Sequence, residues 1–257
     1  VKLDETDVRE IVRLIGEVAA LRGDHAEKKR YLMNGLSKLV GADAWAWGLS
    51  CQNEPDKPQV YVSFIRGGLT DEAFAKLLHA IEHPDMINLA SRFFIELKEK
   101  KTHLTRTRTQ ISDLKQLAES PAIEAWREAD IGPVILSHRP LDDKSCSALA
   151  LYRRFGHPEF SARETRIAHI ILTEVPWLHE QGWPEDRGVN VPVLSRRHRL
   201  TLNLLIQGQS YKQIATHMKI SLHTAQEYIK DIYRHFGVHS QAALMSRFFQ
   251  GDGEDAG

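Results

Sequence analysis

A chain of 257 residues exceeds one small module and fits two domains. With 42% hydrophobic and 26% charged residues, and no apolar run near the ~20 residues a membrane helix needs, it reads as a folded soluble protein without a membrane partner. Two cysteines, Cys51 and Cys146, are too few for a disulfide framework and too distant for a Cys-x-x-Cys metal site, so both are expected as thiols. The net charge of zero conceals an asymmetry. Asn190 to Gln250 carries eight Lys or Arg against Glu227 and Asp231, whereas the tail from Gly251 to Gly257 carries three carboxylates. A basic excess confined to one segment favours an anionic partner for that segment. Val1-Lys2-Leu3-Asp4-Glu5 lacks the basic-then-apolar pattern of a secretion signal, which makes the cytoplasm the expected location.

In chain order, Glu5 to Ala20 shows Val8, Ile11, Val12, Ile15 and Val18 at helical spacing, and Ala26 to Leu39 shows Tyr31, Leu32, Leu36 and Leu39. Ala44 to Ser50 and Gln59 to Phe64 have the β-branched, aromatic and alternating character of strands, separated by the turn-forming Asn53 to Pro58. A helix is predicted from Asp71 to about His83, then others over Met86 to Phe94 and Pro121 to Ala129. Pro133 to Ser137 and Ser147 to Tyr152 read as two further strands. Ser161 with Glu164 three residues on is a capping box that opens a helix through Ile167, Ile170, Ile171 and Leu172.

This order predicts an α+β domain, an antiparallel sheet flanked by helices, over residues 1–181. Such an order resembles a GAF- or PAS-like sensory domain, or the related pheromone-binding domain of LuxR-type regulators. The spaced Trp, Tyr and Asp-Pro pattern of the pheromone-binding family is not visible, since Pro84-Asp85 stands in reverse order. With that strand order the first and last strands are antiparallel neighbours, bringing Cys51 near Cys146. Residues 182–190, polar and rich in Gly and Pro, read as the linker.

Residues 191–250 read as an all-α, four-helix unit, with 251–257 an acidic tail. An amphipathic helix capped by Ser195 stops at Gly208, where a residue tolerant of positive φ suits a helix end. Ser210 caps a short second helix to Met218. Ser221 caps a third, in which Ala225, Ile229, Ile232 and Phe236 form one buried stripe and leave Gln226, Glu227, Lys230 and Arg234 outward. Ser240 caps a fourth, whose Ala243, Leu244 and Phe248 exceed what a small bundle needs to bury and are expected to meet a second copy or the sensor domain.

The helix, Gly-x-Ser, Ile-Ala, Ile-Ser-x-x-Thr, Ile-Tyr and Phe-Gly-Val at these spacings resemble the LuxR/GerE-type DNA-binding domain over Leu194 to Phe248. The family usually has Glu at positions 198 and 213, Val at 225 and His at 228; this chain has His198, Gln213, Ala225 and Tyr228. The resemblance implies that the third helix reads double-stranded DNA with Gln226, Glu227 and Lys230. Lys212, Thr224 and Arg234 are then phosphate contacts. Gln pairs with adenine, Glu accepts from cytosine N4 and Lys donates to guanine, whereas Ser210 and Ser221 present helix N-termini to phosphates. The expected protein is a transcription regulator, a homodimer on two half-sites, controlled by a small-molecule effector, a partner or its dimer state. Two rival readings are an interaction adaptor and a sigma-factor-like subunit that binds RNA polymerase first.

Trp45 and Trp47, two apart on one strand, share a side and either stack on a flat ligand or fill the core, the latter being the commoner use of buried aromatics. His79 and His83, four apart, lack a third metal ligand. Neither a nucleophile with its base nor a Gly-rich phosphate loop is present, so no enzymatic activity and no cofactor are expected.

Overall fold

The computed structural model describes residues 2–51, 60–141, 145–180, 196–206 and 208–249. The first helix, α1 (Glu5–Ala20), starts where Asp4 accepts the Asp7 amide and Asp7 accepts that of Asp4. Its inward side is Ile11, Leu14 and Val18, while Val8 and Val12 face outward, because positions 8 and 12 lie on the neighbouring stripe of the 3.6-residue period. In α2 (His25–Val40), Leu32, Met33, Leu36 and Val40 are buried and Tyr31 is exposed. Gly41 ends α2 in the left-handed conformation (φ 60°).

Five strands follow: β1 (Ala44–Cys51), β2 (Val60–Gly67), β3 (Leu104–Thr107), β4 (Val134–Pro140) and β5 (Ser145–Tyr152). They form one sheet of order β2-β1-β5-β4-β3 in which every neighbouring pair is antiparallel. The α+β architecture is as expected, with β3 an edge strand that the sequence reading did not separate from its polar surroundings. β1 and β5 are neighbours, as anticipated. Their register sets Ser50, rather than Cys51, opposite Cys146, which is buried.

The two faces of this sheet differ because strand side chains alternate. One carries Trp45, Trp47, Leu49, Leu149 and Leu151 and packs against α1, α2, α9 (Ala162–Thr173) and α10 (Pro176–Glu180). The same strands give the other face Ala44, Ala46, Gly48, Ala148 and Ala150, with Tyr152 at its end. Helices α3 (Asp71–Ile81), α4 (Met86–Leu89), α5 (Ser91–Lys100), α6 (Arg108–Ile111), α7 (Leu114–Glu119) and α8 (Ala122–Glu128) supply the apolar residues there. α3 stops at Ile81, so His83 lies past the helix end and does not share a face with His79. The single helix expected over Met86 to Phe94 is broken at Ala90, beside which the Leu89 carbonyl accepts from the Ser112 hydroxyl (2.7 Å). Arg163 in α9 reaches the buried Asp7 through Nε (3.0 Å) and Nη2, holding the two ends of the domain's sequence together. That pairing lowers the Asp7 carboxyl below its ordinary range.

The C-terminal unit contains α11 (Arg196–Ile206), α12 (Tyr211–Met218), α13 (Leu222–Phe236) and α14 (Gln241–Phe249). Leu202, Leu205, Ile214, Ile229, Ile232 and Phe236 are buried. Leu244 is also fully buried, within the chain's own core, and Ala243 is exposed. The linker, the Ser195 cap, the acidic tail and the side chain of Phe248 lie outside the described residues.

Candidate nucleic-acid interface

Two caps and one turn position α12 and α13. The Ser210 hydroxyl accepts from the Gln213 amide while Gln213 Oε1 accepts from the Ser210 amide (2.8 Å), so Gln in place of the family's usual Glu still completes the capping box. The helix ends at Lys219, held at φ 53°, a left-handed residue that reverses the chain within a few residues. Ser221 then caps α13, its hydroxyl accepting from the Thr224 amide (3.0 Å) and bonding the Thr224 hydroxyl (2.8 Å). At the far end Gly237 adopts φ 62° and closes the helix. This is a helix-turn-helix in which α13 is the second helix.

Ala225, Ile229, Ile232 and Phe236 are buried at spacings of four, three and four. Gln226, Glu227, Lys230 and Arg234 are exposed on the remaining surface, as the sequence reading expected. Gln226, Lys230 and Arg234 follow one another at i, i+4 and therefore lie in a row. Arg234 is partly engaged by Asp231 (2.9 Å), whereas among the described residues no ion pair involves Glu227 or Lys230. Lys212 is exposed in the first turn of α12. The hydroxyls of Ser210 and Ser221 are occupied as caps, so what they offer an anion is the first-turn amides they organise. Thr224 is half-buried beside its cap.

Two departures from the usual family residues meet one another. The His198 and Tyr228 rings are 4.8 Å apart, and the Tyr228 hydroxyl accepts from Arg197 Nη1 (3.4 Å), which ties α11 to the middle of α13. Gln241, which the sequence reading did not single out, donates from Nε2 to the Leu205 and Gln209 carbonyls (2.7 and 3.1 Å) and fastens α14 to the end of α11. Its only sequence signal is its position just after the Ser240 cap. Removing the cap of α13 by Ser221→Ala is expected to cost about 1 kcal/mol of the bundle's stability, measured by thermal melting, since it leaves the Thr224 amide without its acceptor.

Trp45 and Trp47 do share a side of β1, and both are core residues. The Trp45 indole donates to Asn34 Oδ1 (2.9 Å), and that of Trp47 to the Ser147 hydroxyl (2.8 Å). The buried Lys29 ammonium and the His179 ring lie 5.1 Å from the Trp47 ring. Both indole N–H groups have acceptors and both rings are buried.

Among solved structures, Escherichia coli SdiA is 13% identical over 95% of this chain and 98% of its own, with a TM-score of 0.44. SdiA in complex with octanoyl-rac-glycerol shows the same identity and score over 95% of each chain. The VqsR LBD domain from Pseudomonas aeruginosa is 14% identical over 69% of this chain and 95% of its own, with a TM-score of 0.46. No curated protein matches the chain. Residues 192–248 match the GerE model, described as bacterial regulatory proteins, luxR family, and the chain therefore carries a luxR-family helix-turn-helix domain.

Proposed function

We propose that the chain is a sequence-selective transcription regulator that places α13 in the major groove of double-stranded DNA as a homodimer. Its N-terminal α+β domain controls it in response to a small-molecule effector. Residues 191–250 are the DNA-binding unit, 1–181 the regulatory one and 182–190 the linker. The observation that carries the reading is the division of α13 into a buried stripe and an exposed row of Gln226, Lys230 and Arg234, with Glu227 beside it, in the second helix of a helix-turn-helix. These side chains pair in kind with base edges and phosphates. Homodimerisation follows from the way such domains read two half-sites one helical turn apart.

Substitutions separate reading from positioning. Lys230→Ala is expected to cost about 1–3 kcal/mol on the preferred site and much less on random duplex. Lys212→Ala weakens all sequences alike and lowers the salt slope by about one unit. Glu227→Ala improves non-specific binding, because a carboxylate near phosphates repels them, and relaxes preference at one base pair. Fluorescence anisotropy on both duplexes measures all three; if every variant binds like the parent, α13 does not enter a groove and the adaptor reading replaces this one.

A further inference from the structure

Arg108, the first residue of α6, is 7% exposed, and its Nε and Nη2 have no hydrogen-bond partner among the described residues. Its guanidinium carbon sits 4.2 Å from the centre of the Trp126 ring. Burial lowers its pKa to about 10, still far above neutrality, so the group is a buried cation. A cation–π contact recovers only part of the lost hydration of such a charge. Nε and Nη2 form the edge of the fork that takes a carboxylate by two parallel bonds. Arg106 uses this edge for Glu96, and Arg163 uses it for Asp7. In Arg108 the same edge is open. The carboxylate whose charge bears on it, Glu159, is exposed and makes no ion pair with it among the described residues.

The surroundings explain what would bring the missing carboxylate. Trp126 belongs to the apolar cluster on the small-residue face of the sheet, with Ala44, Ala46 and Ala150. Gly48 and Ala148 continue that face along β1 and β5. Strand positions without bulk permit close approach of another group to the backbone, and the opposite face of the same strands carries Trp and Leu. A stripe of small residues alone is ordinary; a stripe beside an uncompensated buried cation is complementary to a molecule with an apolar body and an anionic end.

We propose that Arg108 anchors the carboxylate of a small organic acid whose apolar body lies against the Ala46, Gly48, Ala148 and Ala150 face beneath Trp126. This rests on the reading of the N-terminal domain as effector-responsive and gives that effector its charge. Trp126 orients the guanidinium; the two fork hydrogen bonds discriminate an acid from its amide.

The test uses the full chain with benzoate, phenylacetate and hexanoate, each beside its amide, followed by thermal melting and titration calorimetry. The expected result is that at least one acid raises the melting temperature and its amide does not. Arg108→Met should raise the melting temperature without ligand, because it removes an uncompensated charge, and should weaken the acid at least about tenfold. A lower ligand-free melting temperature for Arg108→Met makes Arg108 a structural residue and overturns the proposal. So does a parent protein that takes none of the acids, or a loss of stability in Glu159→Gln, which would identify Glu159 as the partner in solution. Acid and amide binding alike to parent and variant would also overturn it while leaving small-molecule control standing. DNA affinity measured on the same samples tests the regulator reading separately.

Discussion

Acidification from pH 7 to pH 5 is expected to remove several kcal/mol of stability from the N-terminal domain, before most carboxylates begin to protonate. His138, 1% exposed against the Phe93 and Phe94 rings (5.0 and 5.9 Å), is pushed down to about 3, first by burial and then by His103. His103 is also lowered to about 3 by burial, with His169 and Arg139 adding to it. His179 is held well below its ordinary value by burial, which favours the neutral ring. The Trp47 indole donates to the Ser147 hydroxyl, the hydroxyl donates to His179 Nδ1 (2.9 Å), and His179 Nε2 donates to the Leu172 carbonyl (2.8 Å). A proton on Nδ1 would turn that acceptor into a donor and make the Ser147 hydroxyl reorient to receive it.

The sign follows from where the protons bind. Below about pH 6.5 the unfolded chain protonates these histidines while the folded domain does not, so stability falls as pH falls and keeps falling until the folded values near 3. Each such group contributes a slope of about 1.4 kcal/mol per pH unit, and two or three together rival the ~5–15 kcal/mol total of a typical domain. Asp7, Glu96 and Glu164, whose values are lowered by arginine or lysine partners and hydrogen bonds, add a loss of the same sign but only below the ordinary carboxylate range. Denaturant titrations of the domain at several pH values measure the slope. His138→Leu is expected to flatten it by about one group's share, and a stability that is level between pH 7 and pH 5 contradicts the account.

Phe236→Ala is expected to cost about 3–5 kcal/mol and to unfold the C-terminal bundle, abolishing binding to every DNA sequence alike. Phe236 is 2% exposed in the last turn of α13, immediately before the left-handed Gly237, and it closes the same buried stripe as Ala225, Ile229 and Ile232. A bundle this small has little apolar area to spare, so the loss of one aromatic side chain is a large fraction of its stability. Circular dichroism should show loss of C-terminal helix with the N-terminal sheet retained. Retention of cooperative melting and of DNA affinity would mean that the stripe is not the bundle's core.

The C-terminal unit was legible because its signals are local. Ser210, Gly208, Ser221 and Gly237 each mark a helix end within a few residues, and the buried stripe of α13 is periodic. The N-terminal domain was legible in its element order and less so in detail. β3 has only four residues, Leu104 to Thr107, and two of them are threonines and one an arginine, so no alternation distinguished it from a loop. The inward side of α1 was shifted because Val8 and Val12 obey the helical period as well as Ile11 and Leu14 do. Burial of charge was not legible at all. Nothing in the sequence distinguishes Arg108 from Arg106, two residues away; only the fold leaves one facing Trp126 and pairs the other with Glu96.

The central claim, that the α13 surface reads DNA, is tested most directly by titrating the purified chain alone, without polymerase, against its selected site and a random duplex over a series of salt concentrations. The account predicts affinity that falls steeply with salt on both, and a preference for the selected site of at least about a thousandfold. Equal affinity for the two duplexes, or binding indifferent to salt, would contradict it.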